Sequence, residues 1–234
     1  MKKIIIIVSL ISIGIISSCD NPKKKLIKLD YSNSKVIDSL IKNIPQSVDT
    51  LFLGFTTDMN KSEYKKHIYK LRNEGKTIKY SSSFIWESLL GKTNLGAGYL
   101  FETTISIERT PTKIITGYGK YFLEPTYTKK NKNLAKLSIL RSEIWDNEAK
   151  GNWIEHNIYK NSKRFSDSDL KKALKKYEII SDGDFIRQKG NLIIYGDNLH
   201  VTYINKRTLL YNLLIKVRVK EMIIEKEKNK DIKF

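Results

Sequence analysis

Apolar residues recur at helical spacing in two segments near the start of the chain. The first ends before Pro45, which cannot continue a helix, and its apolar positions are Val36, Ile37, Leu40, Ile41 and Ile44. The second begins with a capping box, because Asn60 can cap the helix and Glu63 stands at its third position. Its apolar stripe is Tyr64, Ile68 and Leu71, and Gly75 marks its end. Residues 51–55, between the two segments, predict a buried strand-like stretch.

Between residues 77 and 144 the hydrophobic period changes from helical to two, and Gly, Pro and Asn residues mark turns. Along residues 99–108, one face is mostly apolar and consists of Tyr99, Phe101, Thr103, Ile105 and Ile107. The other face is mostly polar, which is typical of a strand with one side on the core and the other in solvent. This part of the chain predicts an antiparallel meander.

A helix followed by strands is predicted again in the second half. Ser166 is the expected cap, Asp169 stands at the third helical position, and the apolar stripe is Leu170, Leu174 and Tyr177. Residues 192–195 and 199–204 predict strands around a turn, and a last strand is predicted from the alternation of Tyr211, Leu213, Ile215, Val217 and Val219. The expected fold is therefore α+β, with amphipathic helices packed on an antiparallel sheet in two tandem helix-then-strands units, 29–145 and 146–220, before a charged tail at 221–234.

The N-terminus has the pattern of an export signal. Lys2 and Lys3 form a positive start, and an apolar run follows over residues 4–16. This run is shorter than the roughly 20 residues that a helix needs to cross a bilayer, so cleavage is favoured over retention as a membrane span. Residues 1–18 are therefore predicted to be a signal peptide.

The end of this leader, Ile16-Ser17-Ser18-Cys19, resembles the lipobox of bacterial lipoproteins. The resemblance implies cleavage between Ser18 and Cys19, diacylglycerol on the Cys19 thiol and acylation of the new amino group. Two or three acyl chains anchor a protein stably, since each buried methylene contributes roughly 0.8 kcal/mol. Residues 19–28 would then be the lipidated cysteine and a short tether. The expected location is extracytoplasmic, facing the periplasm by default, and the sequence leaves open whether the anchor is in the cell membrane or the outer membrane.

The chain is strongly basic, with 43 Lys and Arg against 25 Asp and Glu and a formal net charge of +18. Such an excess is typical of nucleic-acid binding, of contact with an anionic membrane, or of a proteome in which Lys is the common solvated residue. Lys is spread along the whole chain and outnumbers Arg, and the export signal removes the protein from nucleic acid. Nucleic acid is therefore not an expected partner.

Few residues carry obvious catalytic or metal-binding chemistry. Cys19 is the one cysteine, which excludes an intramolecular disulfide and a cysteine-based zinc site. The three histidines, His67, His156 and His200, do not form pairs at ligand spacing, and we expect His67 at a core edge and His200 on a solvent-facing strand position. No cofactor, metal or catalytic residue is predicted.

The aromatic residues are the remaining candidates for function. Trp86, Trp145 and Trp153 would form a platform for a carbohydrate or peptide if they are exposed, and would belong to the core if they are buried. They are the candidate binding residues.

The segment from Leu53 to Glu63 resembles one in small bacterial lipoproteins that enters its first helix through Gly-Met-Ser/Thr-x-x-Glu. The BamE-type subunit of the outer-membrane β-barrel assembly machinery has such a segment. In this chain Asp58 replaces the Gly and Asn60 replaces the Ser or Thr. The resemblance implies a helix-then-sheet domain and transfers no functional residue beyond the lipidated Cys19.

These observations predict a lipid-anchored protein of the bacterial cell envelope that is not an enzyme and acts as a binding or structural module. Its expected partners are a membrane, through the lipid, and an envelope protein or polymer. The alternative is an envelope hydrolase whose site is assembled from scattered acids and tyrosines.

Overall fold

The computed structural model describes residues 29–88, 91–110, 113–144, 161–197 and 199–230. The predicted leader, Cys19 and tether lie outside these ranges. Within them the helices are α1 (Ser34–Asn43), α2 (Lys61–Asn73), α3 (Ser168–Lys176) and α4 (Lys206–Lys230). The strands are β1 (Thr77–Ser88), β2 (Gly91–Thr110), β3 (Lys113–Tyr127), β4 (Leu134–Ile144), β5 (Lys163–Arg164), β6 (Phe185–Lys189), β7 (Leu192–Gly196) and β8 (His200–Asn205).

All eight strands join in one antiparallel sheet with the order β1-β2-β3-β4-β8-β7-β6-β5. The predicted meander is confirmed as β1 to β4. The strands of the second half attach to it through β4 and β8, where Lys136 pairs with Ile204 and Leu140 with His200. The α+β class is therefore confirmed, and both halves contribute to one sheet.

Helices pack on both faces of this sheet, and alternate strand residues point to opposite faces. Helix α2 packs on one face with residues of β1–β4, and we call this cluster the first core. Helices α1, α3 and α4 pack on the other face over β6–β8, and we call this cluster the second core. In β7, Leu192 and Ile194 belong to the first core and Ile193 belongs to the second.

The predicted start of α2 is confirmed in detail. The Asn60 side chain accepts hydrogen bonds from the backbone N–H groups of Ser62 and Glu63, at 2.8 and 3.1 Å. The Glu63 carboxylate accepts one from the Asn60 backbone N–H at 2.8 Å, which completes the capping box. The predicted stripe of Tyr64, Ile68 and Leu71 is buried, and Gly75 follows the helix with a φ of 83°.

Two local predictions need correction. Residues 51–55 form a turn of 3₁₀ helix at Phe52–Gly54 rather than a strand-like stretch, and Leu53 adopts a left-handed φ of 54° inside it. The cap of α3 is Asp167 and not Ser166, because the Asp167 carboxylate accepts the Leu170 backbone N–H at 2.9 Å. Both residues have capping side chains, so the sequence alone could not choose between neighbours.

The last predicted strand is wrong. The segment that contains Tyr211, Leu213 and Ile215 is helical and belongs to α4, which continues through residue 221, where the charged tail was expected to begin. Val217 is buried and Val219 is exposed, so the five alternating residues do not share one face. Among the described residues, α4 included, no helix combines the length and apolar content needed to cross a bilayer.

Candidate ligand-binding groove

The three tryptophans are not brought together by the described part of the chain. Trp86 lies in β1, opposite Thr93 of β2. Trp145 and Trp153 lie outside the described residues. The aromatic platform expected from them therefore stays a prediction.

A different aromatic site lies between α2 and the sheet. It is a groove of about 570 Å³ that opens to solvent beside β1, β2 and β3. Five tyrosines line it, together with three cationic side chains. We call it the tyrosine groove, and its aromatic and charged lining residues are Tyr64, Tyr69, Tyr80, Tyr99, Tyr127, Lys61, Lys65 and Arg72.

Helix spacing accounts for one wall of this groove. Lys61, Lys65 and Tyr69 follow one another at intervals of four residues, and Arg72 comes three residues later. Residues at these intervals lie on one side of a helix. That side of α2 borders the buried stripe, so the long side chains project along the edge of the first core instead of entering it.

Strand register accounts for the opposite wall. Tyr80 of β1 pairs directly with Tyr99 of β2, and their rings meet edge to face at 5.5 Å. The ring of Tyr64, from α2, lies 6.3 Å from those of both Tyr99 and Tyr127. Tyr69 and Tyr80 are 58% and 60% exposed, so two aromatic rings remain available to a ligand.

The cations of the groove rest on its aromatic rings. The Arg72 guanidinium lies 5.8 Å from the ring centres of both Tyr69 and Tyr99, and its Nε donates a hydrogen bond to the Ile78 carbonyl at 2.7 Å. Lys61 Nζ lies 5.7 Å from the Tyr127 ring. These contacts hold positive charge over the negative faces of the rings.

The charged residues in the described part of the groove lining are all positive. No Asp or Glu occurs among the described residues that line it. Burial raises the pKa of Tyr127 to about 12, and burial also raises the pKa of Tyr64 far above its usual range. Both phenols are therefore neutral at physiological pH and add no negative charge. The groove presents cations and neutral hydroxyl groups.

Tyr64 supplies an unsatisfied group at the base of the groove. Its side chain is 2% exposed, and its hydroxyl makes no hydrogen bond within the described structure. A buried hydroxyl without a partner costs free energy, which a ligand or a rearranged neighbour would recover. Its ring is stacked on Phe55 at 4.5 Å, which fixes its position.

Two of the three histidines can be placed. His67 is at the core edge, as predicted, where its Nε2 lies 2.8 Å from the Leu53 carbonyl and its ring packs against Phe55. His200 was expected to face solvent, but it is partly buried beside Thr202. His156 lies outside the described residues. Within the described ranges, no three His, Cys, Asp or Glu side chains form a group that would hold a metal ion.

The tyrosine groove was not predicted from the sequence. Its residues come from α2, β1, β2 and β3, and only the sheet register places Tyr80 beside Tyr99. The available signal was the interval pattern of Lys61, Lys65 and Tyr69 next to the predicted apolar stripe. Comparisons of the chain with known protein families, with curated proteins and with solved structures found no match.

Proposed function

We propose that this chain is a lipid-anchored protein of the bacterial cell envelope whose domain is a non-enzymatic binding module. The lipobox-like segment that ends in Cys19, after a basic and apolar leader, supports the anchor. The tyrosine groove supports the binding role, and its composition is the observation that carries the proposal. The anchor would hold the groove within reach of envelope polymers at the membrane surface.

The chemistry of the groove favours an anionic polymer that contains sugar rings. Exposed Tyr69 and Tyr80 offer flat apolar faces on which a sugar ring can pack. Lys61, Lys65 and Arg72 complement carboxylate or phosphate groups, and no carboxylate among the described lining residues opposes them. A neutral polymer would use the rings alone, and a basic one would be repelled.

The hydrolase alternative has no support from this site. Hydrolysis of a glycosidic bond usually requires two carboxyl groups on either side of the scissile bond. The part of the lining that the structure describes contains no carboxyl group. Burial raises the pKa values of Tyr64 and Tyr127, so these two phenols stay protonated and are poor proton acceptors at neutral pH.

The proposal is tested with three polymers of similar length. Polygalacturonate carries rings and charge, its methyl ester carries rings alone, and polyglutamate carries charge alone. We expect the mature protein to bind polygalacturonate most tightly in isothermal titration calorimetry, with weaker binding to the other two. Equal binding of polyglutamate would show that the rings are irrelevant, and the absence of binding to all three would refute the assignment.

Two groove variants and one control sharpen the test. Lys65→Gln and Tyr69→Ala change exposed side chains of the groove, and each should weaken polygalacturonate binding by roughly 5- to 10-fold, equivalent to about 1–1.4 kcal/mol. Lys172→Gln removes an exposed charge on α3, on the opposite sheet face, and should leave the affinity unchanged. An equal effect of all three variants would indicate general electrostatic attraction instead of a site.

A further inference from the structure

Helix α4 has two apolar stripes on opposite sides. The inner stripe is buried in the second core and consists of Leu209, Leu210, Leu213, Leu214 and Val217. The outer stripe faces away from the protein and consists of Tyr211, Ile215, Val219, Met222 and Ile223. Residues of the outer stripe are between 46% and 55% exposed. Their spacing of three and four residues places them in one continuous row along the helix. A continuous apolar row on a surface helix indicates an interaction surface.

The charges around this row are mostly positive. Between residues 206 and 230, α4 contains eight Lys or Arg residues against three Glu residues, a difference of 8 − 3 = +5. Lys216 and Lys226 are exposed and flank the outer stripe, whereas Lys220 reaches towards the inner side, where its Nζ lies 5.7 Å from the ring centre of Tyr177. An apolar row with Lys and Arg beside it is typical of a helix that lies in the interface of an anionic membrane.

The start of the domain lies next to this helix. The backbone N–H of Ser34, the first residue of α1, donates a hydrogen bond to the Glu221 carboxylate at 3.0 Å. Arg218 lies 3.7 Å from Asp38 of α1, and Leu29 packs against the second core. Leu29 is the tenth residue after Cys19, and a fully extended chain of that length spans at most about 35 Å. A lipid on Cys19 would therefore keep a bilayer close to the outer stripe.

We propose that the outer stripe of α4 docks on the surface of an anionic bilayer and orients the anchored domain. This inference rests on the proposed lipid anchor. Docking would bury Ile215, Val219 and Met222 at the level of the headgroups, with the flanking Lys side chains contacting lipid phosphates. The groove would then project from the membrane, because α2 covers the sheet face opposite to α4.

A second copy of the chain is a less favourable occupant. In a dimer, each chain would bury about half of the surface of the five outer-stripe side chains, which is on the order of 400 Å². Each partner of a typical stable interface buries about 800 Å². The basic character of α4 also places like charges near each other in a helix pair, whereas it complements anionic lipid.

Fluorescence at a single cysteine tests the docking. In the mature lipoprotein the Cys19 sulfur would carry the diacylglyceryl group, so Ile223→Cys provides one free thiol for a polarity-sensitive dye. The labelled protein is reconstituted into vesicles of phosphatidylcholine with phosphatidylglycerol and into vesicles of phosphatidylcholine alone. We expect a blue-shifted emission and several-fold weaker quenching by iodide in the anionic vesicles, with a smaller change in the neutral ones. Lys66→Cys on α2 is the matched control and should stay water-exposed.

The outcomes separate the two proposals. Protein that remains attached to vesicles while the dye at position 223 stays fully quenchable would refute docking and leave the anchor intact. Failure to attach to any vesicle would refute the anchor and, with it, the docking inference. A blue shift that occurs equally in detergent, together with chemical cross-linking of two chains, would identify a second copy as the occupant and overturn the membrane assignment. Unchanged circular dichroism of Ile223→Cys confirms that the substitution leaves the fold intact.

Discussion

Leu213 and Ile215 test the two-faced packing of α4 directly. A strand over this segment would place both residues on one side, so their truncation to Ala would have similar consequences. The helix separates them. Leu213 is 0% exposed within the second core, and Ile215 is 48% exposed on the outer stripe.

The structure sets the size of the expected difference. Each substitution removes about three carbons, each contributing about 0.8 kcal/mol when fully buried. For Leu213→Ala this gives about 2.4 kcal/mol, and the cavity left behind raises the loss to about 3 kcal/mol. For Ile215→Ala, half-burial gives a loss of about 1.2 kcal/mol in the free energy of unfolding. The better helix propensity of Ala reduces this loss by about 0.4 kcal/mol. The two variants should therefore differ by about 2 kcal/mol in the free energy of unfolding.

Urea unfolding followed by circular dichroism measures this difference. With a slope of about 2 kcal/mol per molar urea, the midpoints of Leu213→Ala and Ile215→Ala should lie about 1 M apart. The slope itself should be the same for both variants and the parent protein. Equal midpoints for the two variants would refute the described packing of α4. A larger loss of stability for Ile215→Ala would mean that Ile215, and not Leu213, lies on the buried side of the helix.

Three further substitutions test other parts of the account. Asn60→Ala should lower the free energy of unfolding by about 1 kcal/mol in urea titrations because it removes the cap, whereas Asn60→Asp keeps a capping carboxylate and should not. Burial lowers the pKa of His200 below its ordinary value of 6.5, and Lys136 contributes to the shift. As the pH falls, His200 is therefore protonated in the unfolded chain before it is protonated in the folded domain. The free energy of unfolding should then decrease as the pH drops below about 6.5. His200→Gln should reduce the stability difference between pH 7.5 and 5.5, and an unchanged difference would contradict the assigned burial. Gly98→Ala should destabilise the domain by about 1–3 kcal/mol in thermal unfolding, since its Cβ would lie 2.4 Å from the Phe122 ring, and an unchanged melting temperature would contradict this packing.

Local patterns predicted α2 almost completely. The capping box needs only Asn60 and Glu63, and the buried stripe follows within the same helix, so no distant residue is required. The cap of α3 was displaced by one position because Ser166 and Asp167 are both good capping residues. There, the choice depends on tertiary contacts: the Tyr31 hydroxyl donates a hydrogen bond to the Asp167 carboxylate at 2.6 Å, from the other end of the chain.

Helix α4 and the tyrosine groove could not be predicted for two different physical reasons. In α4, apolar residues occupy two opposite sides, so the single-stripe pattern of an amphipathic helix is absent and the alternation from Tyr211 to Val219 imitates a strand. The groove depends on sheet register, which pairs Tyr80 with Tyr99 across 19 positions of the chain. Neither residue has a local signal that distinguishes it from an ordinary strand tyrosine.

The proposed envelope location and the proposed docking of α4 on a bilayer both depend on the lipid anchor. Mass spectrometry of the N-terminal peptide, from protein purified out of bacterial membranes, tests it most directly. We expect a peptide that begins at Cys19 and carries the mass of a diacylglyceryl group and an added acyl chain, and we expect a Cys19→Ala variant to retain the whole leader. A native protein that retains residues 1–18 with an unmodified Cys19 thiol would contradict the account.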